Sequence, residues 1–382
     1  MTEVYFDTAA TAPLLPVVQD ALTASFHVYG NPSSLHRKGV EAEALLKAAR
    51  QAVLKVLGTS RGQIIFTGGG TEANNLAIFG TVRQHRNRGR HLVTTQIEHP
   101  SVAKAFEALA ADGWSVTTVA PNADGTISAE RVLDAVTDDT VLVSVMHVNN
   151  ETGALLPVVE IGQALAKRPK VLFHVDGIQA FGKVPKPLQT LPVDLYTLSA
   201  HKVGALKGVG ALYVREGVRI APLLHGGGQE QGLRSGTENV LGIHALAVAA
   251  EALAGRVDEH WQHVTRLHDH FVERLAQVPR CRLHLPASKS PYIVHASFPG
   301  LKGEVLVHAL EADGVYVSTG SACSTRGGHA KASPVLTAMG LPAEEVTGSL
   351  RFSFGPWHTM DDLDRVVSVL TDKVRWLIDL ER

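Results

Sequence analysis

The stretch QIIFTGGGTEANNLAIFGTVRQHR, residues 63–86, passes from a short apolar strand pattern through three glycines into a helical one. Strand, glycine-rich turn and helix in that order are the opening of a β–α unit. The alternation continues downstream. HLVTTQ (91–96) precedes a helix from about Ser101, WSVTTVA (114–120) and TVLVSVMHV (140–148) follow, and a helix is expected near 157–167. KVLFHVD (170–176), DLYTLS (194–199) and GALYVRE (210–216) complete the series. Such a run predicts an α/β fold with a mostly parallel sheet covered by helices on both faces. From about Thr237 a long helical segment carries Gly255 part-way along, which predicts a bent connector into a second domain. That domain starts near YIVHASFPG (292–300) and continues through a helix at 303–312, VYVS (315–318), SLRFSFG (349–355) and a terminal helix. The expected division is a large domain over 15–255 and a small one made of 1–14 with 256–382.

Composition removes several classes of function. The chain has 382 residues, 45% apolar and 19% charged, with a net charge of −1. That suits a well-buried enzyme and not a disordered chain. No basic stripe is present, so direct nucleic-acid binding is not expected. The apolar run HALAVAAEALAG (244–255) is too short to span a bilayer and is broken by Glu251. MTEVYFDTAA lacks the basic and apolar regions of a secretory signal, and two cysteines make no disulfide framework. A cytoplasmic setting is expected. His260, His263, His268 and His270 share one helical stretch but form no clear ligand set, so they read as a wet helix surface and no metal is expected.

Three features carry chemistry. The glycine turn at 68–70 exposes backbone N–H groups at a helix N-terminus, where a phosphate is favoured. Asp176 ends a buried strand, at the edge where open α/β sheets bind ligands. LYTLSAHKVGALKGVG (195–210) places Ser199, His201 and Lys202 at the end of another. A lysine there is partly desolvated and able to form a Schiff base. Phosphate cradle, strand-end carboxylate and amine are together what pyridoxal 5'-phosphate requires.

At this point the chain resembles the cysteine desulfurases, class-V aminotransferases of fold type I that depend on pyridoxal phosphate. The resemblance rests on YFDTAATAPL (5–14), YGNPSSLHRKG (29–39), FTGGGTEANNLAI (66–78), IEHPSV (97–102) and VNNETG (148–153). It continues through HVDGIQAFGK (174–183), SAHKVGALKGVGALYV (199–214), HGGGQEQGLRSGT (225–237), STGSAC (318–323) and RFSFG (351–355), so it covers nearly the whole chain. It implies a large domain with a mostly parallel seven-stranded sheet between helices, and a smaller α/β C-terminal domain.

By the same resemblance, Lys202 holds the cofactor and serves in catalysis with His99, which also stacks on the ring. Gly70, Thr71, Ser199 and His201 anchor the cofactor and its phosphate. Asp176 pairs with the pyridine nitrogen, and Gln179 and Asn150 contact the ring oxygen and the substrate. Thr237 reaches the phosphate of a second subunit, which implies a homodimer. Arg351 clamps the substrate carboxylate. Cys323, set among small polar residues, is the nucleophile that takes sulfur from L-cysteine as a persulfide and leaves L-alanine. The sulfur then passes to an acceptor protein, an iron–sulfur scaffold or a tRNA-thiolation enzyme. A selenocysteine lyase, another class-V lyase or aminotransferase, and a non-catalytic scaffold are the alternatives. Cys281 has no assigned role.

Overall fold

A computed structural model of the chain describes residues 3–319 and 332–380. Its strands are β1 (Val4–Tyr5), β2 (Gln63–Thr67), β3 (His91–Thr95), β4 (Ser115–Val119), β5 (Thr140–Met146) and β6 (Leu172–Asp176). They continue with β7 (Leu195–Ser199), β8 (Gly210–Val214), β9 (Arg282–Leu283), β10 (Ile293–Ser297), β11 (Val315–Tyr316) and β12 (Ser349–Ser353). Seven of them form one sheet in the order β2-β8-β7-β6-β5-β3-β4. Only β8 runs against its neighbours in that sheet. The expected α/β architecture and mostly parallel sheet are what the structure has.

Strands β3, β5, β6, β7 and β8 are buried along their whole length, which explains their near-continuous apolar runs. Because β2, β3, β5, β6 and β7 are parallel, their C-terminal ends share one edge of the sheet. Residues far apart in sequence are delivered there: the glycine turn after β2, His99 after β3, Asn150 after β5, Asp176 at the end of β6 and Lys202 after β7. This edge positions the site.

A second hydrophobic core joins the chain's two ends. Phe6, Phe271, Phe352 and Phe354 pack there at ring separations of 5.2–5.9 Å. β1 pairs with β11, and β9, β10 and β12 make a separate antiparallel sheet. The bent connector is present. The helix Val240–Leu253 stops before Gly255, whose φ of +86° suits glycine, and the helix Val257–Leu275 leaves at 75°. No single described helix is long and apolar enough to cross a membrane.

The histidine stretch departs from the expected wet surface. His260 and His268 are buried on the core side of the helix Val257–Leu275, while His270 pairs with Asp364 at 2.9 Å. Among the described residues no group of side chains is arranged to hold a metal ion.

Candidate active site

The glycine turn is shaped by its neighbours. Gly210, on β8, passes so close that a Cβ would lie 2.4 Å from the carbonyl carbon of Gly69, so no side chain fits there. The helix Gly70–His85 begins directly beyond, and its first-turn N–H groups have no partners within the helix. They face a cavity of about 750 Å³ lined by Gly70, Thr71, Ser199, His201, Lys207 and Gly208. Glu72 lies beside it, accepting from the Gly68 N–H at 2.7 Å, and its charge is matched by Arg234 at 2.8 Å. Without that pairing Glu72 would repel an anion.

Asp176 is nearly inaccessible to solvent and accepts from the Ile178 N–H at 3.0 Å and from Asn74 Nδ2 at 2.8 Å. Burial pushes its carboxyl above the usual range, and the charges of His99 and Lys202 only partly offset the effect. A cationic N–H brought beside it would relieve that cost. Asn74 Nδ2 also donates to Ser101 Oγ at 2.9 Å, and Ser101 Oγ lies 2.8 Å from His99 Nδ1. Since the Ser101 N–H also donates to Nδ1 at 3.1 Å, the network assigns the ring proton to Nε2. Burial pushes His99 below its ordinary range, so near neutral pH the imidazole is uncharged. The Asn74–Ser101 relay joins acid to imidazole, and the sequence had singled out neither residue.

Lys202 follows Ser199 in a single 3₁₀ turn. Its Nζ donates to the carbonyls of Ala9 and Ala10 at 2.5 and 2.8 Å. Gln179 Nε2 donates to the same Ala9 carbonyl at 2.8 Å. The N-terminal segment YFDTAATAPL is therefore part of the site. His201 lies against Thr11 Oγ1 at 3.2 Å, and burial with the nearby Lys202, Lys207 and Lys183 depresses it to about 4.

Arg351, on β12, is buried. It donates to the Asn150 carbonyl at 2.9 Å and to Asp7 Oδ1 at 2.7 Å, while its Nε has no hydrogen-bond partner among the described residues. A guanidinium with a spare buried donor suits a substrate carboxylate. Replacing it with lysine keeps the charge and loses the fork. We expect Arg351→Lys to raise the KM for L-cysteine about 10–100-fold, the equivalent of one charge-assisted hydrogen bond, with a smaller effect on kcat. An unchanged KM would remove Arg351 from substrate binding.

The roots of the segment carrying Cys323 meet beside this arginine. Ser318 and Arg351 exchange backbone hydrogen bonds at 2.7 and 3.3 Å. Ser333, capping the helix Pro334–Ala338, donates to Glu151 at 2.5 Å. Cys323 itself lies outside the described residues. Thr237 is exposed on a separate groove that shares Gly68 and Gly208 with the larger cavity.

A cavity at a helix N-terminus with room for a phosphate, a buried strand-end carboxylate and a lysine at the end of the next strand fit pyridoxal 5'-phosphate. The pattern of the aminotransferase class-V family matches residues 4–366. A cysteine desulfurase IscS of Methanosarcina thermophila is 40% identical over 376 residues, 98% of this chain and 92% of the relative. The chain belongs to the cysteine desulfurases of that family. Among solved structures similar to it, a NifS-like protein superposes with a TM-score of 0.91 at 35% identity, over 98% of this chain and 100% of that one. SspA in complex with cysteine gives 0.82 at 32% identity, over 94% and 100%. Desulfurases of this family depend on pyridoxal phosphate.

Proposed function

We propose that the chain converts L-cysteine to L-alanine and passes the sulfur, as a persulfide on Cys323, to an acceptor protein. The observation carrying this reading is the convergence of Asp176, Lys202 and the Gly70–Thr71 turn on one sheet edge in a chain of the desulfurase family. Pyridoxal phosphate, when bound, supplies a sink for the electrons released at the substrate's α-carbon.

The residues divide the remaining work. Gly70, Thr71, Ser199 and His201 would hold the cofactor's phosphate, Asp176 would pair with its ring nitrogen, and Gln179 would contact its ring oxygen. Arg351 binds the substrate carboxylate, with Asn150 beside it. Lys202 Nζ would take the α-proton, and His99, carrying its proton on Nε2, would serve as a proton donor. The Cys323 thiolate attacks the substrate sulfur. An S–S bond forms, the C–S bond breaks with its electrons left on carbon, and protonation of that carbon yields alanine. A thiol of the acceptor then takes the sulfur; an iron–sulfur scaffold and a tRNA-thiolation enzyme are the acceptor classes considered. In this reading residues 15–255 bind the cofactor and 1–14 with 256–382 carry the nucleophile, in the cytoplasm. The test is to measure alanine and sulfide from L-cysteine with a thiol reductant present. Equal amounts are expected; pyruvate, or alanine without sulfide, would overturn the reading.

We assign the second phosphate contact to Thr237 of a symmetric partner. Phe26, Tyr29, Leu35 and Val40 expose apolar side chains along the stretch 26–40, which supports a covered face. Thr237→Val is expected to weaken cofactor retention about 10–100-fold, the loss of one hydrogen bond to a charged group, in a holoprotein that sediments as a dimer. Full cofactor occupancy in a monomer would contradict this.

A further inference from the structure

Lys183 is a buried lysine that the proposed reaction does not use. It is 8% exposed, and the charges acting on it, Lys202 and Arg351, are both positive. Burial, reinforced by those two, pushes its ammonium down to about 7. A lysine in such a place is costly, and a methionine would fill the same space at no electrostatic penalty. What it does there is visible in its contacts. Its Nζ donates to Gln179 Oε1 at 3.3 Å and lies 5.6 Å above the ring of Tyr292.

An amide side chain has two orientations of nearly the same shape. Here its two ends are read separately. Gln179 Nε2 donates to the Ala9 carbonyl, and Oε1 accepts from Lys183. Turning the amide over would set Oε1 against a carbonyl oxygen and the NH₂ group against an amine. The Ala9 carbonyl is also an acceptor for Lys202. Tight turns built on Gly177 and Ala180 bring residues 179 and 183 to the same side.

We propose that Lys183 is a positioning residue for Gln179, fixing the amide with its NH₂ group toward Ala9 and Lys202. The inference rests on the cofactor reading given above, and extends it by naming what orients one of its contacts. The orienting effect proposed for Lys183 runs through Gln179, so that effect vanishes when Gln179 can no longer be oriented.

The experiment is a double-mutant cycle on holoprotein, reading the cofactor's visible absorbance, its pH titration and the rate at which cofactor is lost to an excess of apo-acceptor. Lys183→Met is expected to shift the absorbance titration and speed cofactor loss about fivefold, the equivalent of one neutral hydrogen bond. Gln179→Leu should do the same or more. Adding Lys183→Met to Gln179→Leu should change nothing further. Additive effects would show that Lys183 acts by packing or charge alone, and would overturn the proposal, as would a Lys183→Met protein with the wild-type spectrum. Lys183→Gln, which keeps a donor, serves if the methionine variant does not fold; it should retain most of the wild-type titration. A wild-type protein carrying no chromophore would instead refute the cofactor reading itself, a result separate from these.

Discussion

Lys202→Ala is expected to lower the rate of alanine formation from L-cysteine by at least roughly 10³-fold, the scale of a lost general base, while leaving a folded protein. The lysine sits where two roles coincide. Its Nζ is held by the Ala9 and Ala10 carbonyls, and a neutral amine still has the two N–H donors that these acceptors need. Neither described histidine is set to take over the proton: His99 already carries a proton on Nε2, and His201 is turned toward Thr11. Treating wild-type holoprotein with borohydride and mapping the peptides should place the label on Lys202. A label on Lys183, the other amine nearby, or a variant rate within tenfold of wild type, would sink the assignment.

Cys323→Ala is expected to abolish sulfide release while the protein still takes up cofactor and responds spectrally to L-cysteine. Cys281 cannot substitute. It packs against the second core, and burial pushes its thiol up to about 12, so it supplies no thiolate near neutral pH. Cys281→Ala should therefore be nearly silent in the same assay. Desulfuration by Cys323→Ala at the wild-type rate would mean that the nucleophile had been misidentified.

The parts of this site legible in the sequence are those that end strands. In a parallel sheet the strand ends coincide in space, so Asp176 and Lys202 could be brought together on paper from two apolar runs alone. The glycine turn alone reads as well as a tight connection, and it became legible as an anion site only beside Asp176 and Lys202. Asn74 and Ser101 were not, because an asparagine inside a helix and a serine in its first turn look like ordinary surface positions until the helices are packed. The direction of β8 was equally hidden: GALYVRE reads as a strand either way, and only its pairing shows that it runs backward. His260 and His268 misled in the opposite sense, since histidine on a charged helix suggests solvent while the core takes two of them. Lys183 lay inside a quoted motif, yet nothing in HVDGIQAFGK says that its amine turns inward.

The weave of the two chain ends sets an order of events at the ribosome. Ala9, whose carbonyl holds both Lys202 and Gln179, is itself fixed by its N–H donating to Ser353 Oγ, 344 residues later. At about 5–20 residues per second of synthesis, that partner emerges roughly 20–70 s after Ala9 does. Lys202 is made in the interval. For that time the nascent chain owns the Lys202 amine and the glycine turn but lacks the finished ledge on which the amine rests. Ala9 is translated well before Lys202 yet reaches its working position only after Ser353 has followed both.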